Sequence, residues 1–251
     1  MASQLLRMKV DKALIRSVLT LVLGILGTAA TSVFSLIVML FDRRGKSVQI
    51  IMNKWAWFIL KLSGVKVEVN GLENLTPGES YIFISNHASL MDIPAVCFGL
   101  PFQLRFLAKK ELFRIPIFGQ ALRSAGHIRI DRGNLESAVN SLKEGALILK
   151  ERGYSALVFA EGTRSLNGKV GKFKKGGVIL ALSMGIPIVP LSISGSALLA
   201  PKGDLMVKPG IIKMTVGKPI STEGKDISDR KLLVTTTRDA VIKNLVGEDA
   251  I

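Results

Sequence analysis

The pattern of apolar and polar positions changes character near residue 63. Residues 17–41 carry no charged side chain, and as a helix rising about 1.5 Å per residue that run is long enough to cross a bilayer. Its middle, residues 24–32, is diluted by Gly27, Thr28, Ala29, Ala30, Thr31 and Ser32. Asp42-Arg43-Arg44-Gly45-Lys46 then predicts a turn, and residues 47–62 predict a second apolar helix interrupted by Lys54 and Lys61. Both tryptophans, Trp55 and Trp57, fall in it, where a membrane interface would want them. Beyond residue 63 short apolar runs alternate with amphipathic segments. Residues 65–69, 81–85, 104–108, 128–130, 155–159, 188–193 and 211–216 read as strands. The run at 155–159 is continuously apolar, as in the middle of a parallel sheet.

Helices fit the intervals. Residues 134–152 place Leu135, Ala138, Val139, Leu142, Ala146 and Leu149 on one face, with Asn134 as N-cap and Gly153 as terminator. Residues 176–184 and 229–246 are further helices, another begins around Pro116 and Gly119, and the segment after Ser89 enters one at Asp92. The fold class expected is α/β: a mostly parallel sheet with helices on both faces, preceded by an N-terminal apolar two-helix hairpin. The expected division is 1–63 for the hairpin and 64–251 for the α/β domain.

Charge narrows the function. The 251 residues carry a formal net charge of +15, with 34 Lys and Arg against 19 Asp and Glu, so the partners are anionic. The basic residues are dispersed and no nucleic-acid module is recognisable, which argues against nucleic acid. One cysteine excludes an internal disulfide framework, and two histidines without ligand spacing argue against zinc. No G-x-x-x-x-G-K-[ST] is present, so P-loop phosphoryl transfer is set aside. Basic groups flank the apolar run on both sides (Arg7, Lys9, Lys12 and Arg16 before it, Arg43, Arg44 and Lys46 after). That symmetry suits a hairpin entering and leaving one leaflet; a single transmembrane span followed by a core helix is the alternative.

The candidate chemistry lies in Asn86-His87-Ala88-Ser89-Leu90-Met91-Asp92. His87 falls where a strand ends and a helix starts, and a carboxylate five residues on can fold back onto its imidazole. That pairing fixes one tautomer and leaves the other ring nitrogen to take a proton. A structural histidine in a loop is the competing reading. Ser89 lies in no nucleophile elbow and is read as a helix-start residue. Cys97 is read as a small buried residue, and His127 as structural.

A second stretch, Phe159-Ala160-Glu161-Gly162-Thr163-Arg164-Ser165, also follows an apolar strand. Between the two stretches lie Lys109-Lys110-Glu111-Leu112-Phe113 and Gly126 to Arg132, and after them Ile186-Pro187-Ile188-Val189-Pro190-Leu191. In this order the blocks resemble the glycerolipid acyltransferase family, specifically the 1-acyl-sn-glycerol-3-phosphate acyltransferases, over roughly residues 64 to 220. One departure is Ala160, where the family usually has Pro.

The resemblance implies transfer of a fatty acyl group to the sn-2 hydroxyl of lysophosphatidic acid, giving phosphatidic acid, with His87 as general base and Asp92 its orienter. The donor it implies is a thioester of acyl-carrier protein or coenzyme A; beyond that co-substrate no cofactor and no metal is expected. Glycerol 3-phosphate or another lysolipid as acceptor, or a non-catalytic protein that binds anionic lipid, are the alternatives. Glu161, Gly162, Thr163, Arg164, Lys109, Lys110 and Arg132 are the substrate-binding candidates. Arg164 comes first, because guanidinium grips phosphate at two points. Membrane lipid is the other expected partner, and the cytoplasmic face of a cell inner membrane the expected location.

Overall fold

The computed structural model describes residues 2–42, 45–131, 133 and 135–247, with side chains from residue 13 onward except at 135, 136 and 139. The expectations for Arg43, Arg44, Arg132 and Asn134, and for the side chains of Arg7, Lys9, Lys12, Leu135 and Val139, lie outside the described residues.

Helices α1 (Ala2–Met39) and α2 (Lys46–Ser63) fold back on each other as the hairpin that the hydropathy pattern predicts. The diluted middle of α1 does not interrupt the helix; it is the seam between the two helices. Thr28 Oγ1 donates to Gly24 O at 2.7 Å and accepts from Trp55 Nε1 at 3.0 Å. A Cβ on Gly24 or Gly27 would stand 3.4 Å from Ile59 or Phe58, so the absent side chains let α2 approach closely. The outer face of α1 keeps Leu14, Ile15, Val18, Ile25 and Leu26 exposed. By length and composition, Ala13–Met39 is the one described helix long and apolar enough to cross a membrane.

The remaining elements are β1 (Val65–Asn70), β2 (Ile82–Ser85), α3 (Asp92–Gly99), β3 (Leu104–Lys109), α4 (Phe118–Ser124), β4 (Ile128–Ile130), α5 (Leu135–Arg152), β5 (Ser155–Phe159), α6 (Gly176–Met184), β6 (Ile188–Ser194), α7 (Ser196–Leu199), β7 (Gly210–Val216) and α8 (Arg230–Lys243). They form a seven-stranded sheet of order β1-β7-β6-β2-β5-β3-β4. β6, β2, β5, β3 and β4 run parallel. β7 is antiparallel to β6 and parallel to β1, so the two strands at that end run against the other five.

The last helix differs from expectation at both ends. A three-residue 3-10 turn (Ile227–Asp229) precedes it, with Asp226 and Asp229 in a reciprocal capping box, and the helix stops at Lys243.

Helices cover both faces, because each buried strand sends alternate side chains to opposite sides. Phe83, Leu157, Val189 and Leu191 join Ile59 and Leu60 of α2 and Ala95 and Val96 of α3. Ile82, Ile84, Ala156 and Val158 join Leu142, Ala146 and Leu149 of α5, Val178 and Ala181 of α6, and Leu233 and Val241 of α8. The hairpin is anchored to the first face at both ends. Gln49 Oε1 accepts from Leu104 N at 2.9 Å, beside the buried Arg105, whose guanidinium lies 3.7 Å over the Tyr154 ring. At the other end Ser17 Oγ accepts from Val207 N at 2.8 Å, and Gly64 alone separates α2 from β1.

One backbone feature is unusual. Ile117, between β3 and α4, has φ 64° and ψ −58° and is the only described non-glycine residue with positive φ. Phe118 N donates to Pro116 O at 2.7 Å, closing a three-residue γ-turn of the strained hand. Holding a β-branched residue there costs on the order of 1–3 kcal/mol.

His127 is structural, as expected. Its Nδ1 accepts from Phe106 N at 3.0 Å, and burial together with the Arg105 charge pushes its pKa down to about 3. An unfolded chain, with an ordinary value of 6.5, takes up this proton first. Stability is therefore full above pH 6.5 and declines as the pH falls from 6.5 toward 3. His127→Asn puts an amide oxygen where Nδ1 sits and removes the titration. Urea midpoints in detergent, near pH 7 and near pH 5, are expected to fall less in this variant than in the parent.

Candidate active site

The parallel strands all end on one edge of the sheet, and the residues singled out from the sequence collect there. β2 leads to His87, β5 to Glu161, and β3 to Lys109 and Lys110. The crevice outside the carboxyl ends of parallel strands is where open α/β sheets place their ligands.

Two hydrogen bonds zip the segments after β2 and β5 together. Ala160 N donates to Ser85 O at 3.0 Å, and Ser165 N donates to His87 O at 2.7 Å. Asn86 ties the same turn to β6: its Nδ2 donates to Ile193 O at 2.8 Å and its Oδ1 accepts from Ile193 N at 2.9 Å. Asn86 thus ends the strand but keeps its pairing to β6 through the side chain.

His87 and Asp92 meet as their spacing suggests. Nδ1 of His87 lies 2.7 Å from Asp92 Oδ2, and the same oxygen accepts from Ala88 N at 2.8 Å and Ser89 N at 2.9 Å. Asp92 is 1% exposed, so these three donors stand in for water at Oδ2, while the buried Oδ1 has no hydrogen-bond partner among the described residues. A carboxylate that receives two backbone N–H groups receives Nδ1–H as well, which leaves Nε2 as the basic nitrogen. The imidazole stacks on Phe159, centroids 3.9 Å apart at 15°, and its side chain is 13% exposed. The ring is therefore held on its flat side by an aromatic neighbour and along its edge by the carboxylate.

Ser89 is fully buried and donates to Ala200 O at 2.8 Å while accepting from Met91 N at 3.1 Å. That is the helix-start role, and its hydroxyl is committed. Cys97 is also fully buried, with its thiol pushed up to about 12 by desolvation.

The Glu161 carboxylate is spent on backbone. Its Oε1 accepts from His87 N at 3.0 Å and its Oε2 from Gly171 N at 2.9 Å. One side chain therefore joins the histidine turn to the lysine-rich loop after Ser165, and neither oxygen salt-bridges Arg164. Gly162, at φ 73°, already donates its N–H to Phe159 O at 3.1 Å, and the Lys174 stem lies where a Cβ would stand. Thr163 Oγ1 and Arg164 O accept from Lys202 Nζ at 3.2 and 3.0 Å. No sequence signal pointed to Lys202, because it comes from the loop after α7. Lys172, Lys174 and Lys175, on the loop after Ser165, are exposed.

The β3 side is less uniform. Lys109 is exposed, whereas Lys110 Nζ pairs with Asp131 Oδ2 at 2.7 Å, across the β3–β4 pairing. The hydrogen bond from Lys110, helped by that from Gly133 N, lowers the Asp131 pKa. Of the two adjacent lysines, then, one is already neutralised. The arrangement as a whole offers a fixed imidazole with one open nitrogen, and basic residues on the segments that follow β3 and β5, which suits proton abstraction next to an anionic substrate.

Residues 66–194 match the family model described as Acyltransferase. The 1-acyl-sn-glycerol-3-phosphate acyltransferase of Limnanthes alba is 37% identical over 187 residues, which are 74% of this chain and 66% of that protein. The alpha form from Homo sapiens is 32% identical over 201 residues, 79% of this chain and 71% of that one. The match thus covers just under two thirds of the plant relative's length. Among solved structures, the 1-acyl-sn-glycerophosphate acyltransferase PlsC from Thermotoga maritima superposes with a TM-score of 0.77 at 28% identity, covering 95% of this chain and 99% of that one.

The role of Glu161 can be tested directly. Glu161→Gln keeps the shape but weakens both charge-assisted bonds, and is expected to lower kcat about tenfold or more through the loosened histidine turn, with KM little changed. Steady-state kinetics separates the two. A raised KM at constant kcat would instead make Glu161 a substrate ligand.

Proposed function

The chain belongs to the acyltransferase family that includes these 1-acyl-sn-glycerol-3-phosphate acyltransferases, and we propose that it carries out their reaction, moving a fatty acyl group from a thioester to the sn-2 hydroxyl of lysophosphatidic acid. The observation that carries the reading is the His87–Asp92 pair, with one carboxylate oxygen holding three donors and Nε2 open at the strand-end edge.

The steps follow from this geometry. Nε2 of His87 takes the proton of the acceptor hydroxyl as that oxygen attacks the thioester carbonyl. The imidazolium formed is stabilised by Asp92, which keeps Nδ1–H in place and takes no proton itself. The tetrahedral intermediate then expels the thiolate, which recovers the proton from Nε2, leaving the new ester and a free thiol. Arg164 is assigned to the acceptor phosphate, with Lys109, Lys202 and the lysines of the loop after Ser165 supplying positive potential. Lys110 contributes through its pair with Asp131, which fixes the end of β3. Acyl-carrier protein and coenzyme A both present the required thioester. The exposed apolar face of α1 is assigned to one leaflet, at the cytoplasmic face of the membrane that holds the acceptor.

His87→Ala is expected to lower acyl transfer by about a hundred- to ten-thousand-fold, the usual worth of a general base, while the protein still folds and still fractionates with membranes. Asp92→Asn should lose most activity as well, because the wrong tautomer becomes available. Thioester turnover with lysophosphatidic acid measures both, and a His87→Ala enzyme that keeps half its rate removes His87 as the base.

Arg164→Lys retains charge but loses the two-point grip. The expected result is a fall in kcat/KM for the acceptor with the donor's KM unchanged. An unaltered acceptor response would move the phosphate to the lysines.

A further inference from the structure

The segment between β3 and α4 carries a feature that neither the fold nor the acyl-transfer site uses. Leu112 (38% exposed), Ile115 (47%) and Ile117 (44%) all project outward from it. The segment is braced from within: Phe113 is buried, its carbonyl accepts from Arg123 Nη1 at 2.9 Å, and Gly119 packs so closely that a Cβ would collide with the Phe113 backbone. It is therefore rigid while its apolar side chains face out.

Ile117 makes the point sharper. Glycine would adopt φ 64° at no steric cost, whereas isoleucine holds the γ-turn under strain and still leaves 44% of its surface exposed. A strained, exposed, β-branched residue is explained if the side chain meets something outside the chain.

The surroundings indicate what that is. The segment leads directly into α4, which packs on α1, whose outer face shows Leu14, Val18 and Ile25. Lys109, Arg114 and Arg123 flank the three apolar residues, with Glu111 as the single exposed acid among them. Apolar tips within a basic ring, continuous with an apolar helix, fit the head-group and acyl boundary of an anionic bilayer. We propose that residues 110–117 form a wedge by which the catalytic domain itself enters the lipid surface, separately from the hairpin. The proposal rests on the reading of α1 as a membrane helix.

The test uses the full chain in vesicles of phosphatidylglycerol and phosphatidylcholine that contain spin-labelled lipid. Cys97 is fully buried, so single reporter cysteines can be labelled selectively. Fluorophores are placed at Ile115→Cys in the wedge, Ile25→Cys on α1, and Glu73→Cys at the opposite edge of the sheet. Quenching at positions 115 and 25 but not at 73 is expected. Quenching at 25 without 115 overturns the wedge and leaves the hairpin reading intact; no quenching at 25 overturns the hairpin reading itself. A reporter at 115 that responds to acyl-carrier protein in detergent, and not to lipid, assigns the surface to an acidic protein and also overturns the wedge.

A second variant uses the strain. Ile117→Gly is expected to melt in detergent at or above the parent's temperature, because the turn suits glycine. It should lose about tenfold in rate on lysophosphatidic acid held in anionic vesicles, from the lost insertion of one isoleucine side chain, and little on detergent-dispersed substrate. An unchanged vesicle rate overturns the proposal.

Discussion

A single carboxylate oxygen organises the centre of this structure. Asp92 Oδ2 draws in the imidazole of His87 and the N–H groups of Ala88 and Ser89, and so folds the six residues from His87 to Asp92 into one tight turn. The negative charge is 1% exposed, and without those donors its burial would be prohibitive. The same bonds to Oδ2 aim the histidine. Ser89 then fixes the turn to Ala200, Asn86 fixes it to β6, and Glu161 fixes it to the loop after β5. The orientation of one ring is thus set by contacts from the two neighbouring strands, β5 and β6, and from Ala200 beyond α7.

This dependence explains where the rigidity is concentrated. β2 is hydrogen-bonded on both sides, to β5 and β6, and every residue of it is buried. A strand so placed is the last to open in local unfolding. The loop after β5 carries lysines of its own and is tied down in turn, by Glu161 to Gly171 N, by Lys202 to the Thr163–Arg164 turn and by Arg238 to Val170 O and Gly171 O.

Much of this was legible in the sequence, for identifiable reasons. Buried parallel strands leave apolar runs of β-branched residues, so β2, β5 and β6 could be read directly. A histidine and an aspartate five positions apart announce their contact, because the turn between them is local. What stayed hidden depends on direction or on distance along the chain. Alternation of strands and helices does not encode orientation, so the reversal of β1 and β7 was not readable. The stacking of His87 on Phe159 and the reach of Lys202 join residues that are far apart in sequence. The two backbone bonds of the Glu161 carboxylate were also hidden, because His87 and Gly171 are far from it or from each other along the chain. The glycines and hydroxyls of α1 read as dilution of an apolar helix, when they form its contact surface with α2. The γ-turn at Ile117 had no signal at all, since glycine or asparagine normally marks such a place.

The junction at Gly64 has a kinetic consequence. It leaves no linker between the hairpin and the sheet, and β1 starts at the same edge that carries His87, as its pairing through β7 to the Ser194 end of β6 requires. Once α1 lies in a bilayer, the depth of the imidazole below or above the head groups is set by the fold and does not fluctuate with a tether. For the acceptor proposed above, encounter then becomes a two-dimensional search. On that proposal the rate follows the mole fraction of lysolipid in the surface, not its amount per volume of suspension, so adding inert lipid slows turnover even at constant total substrate.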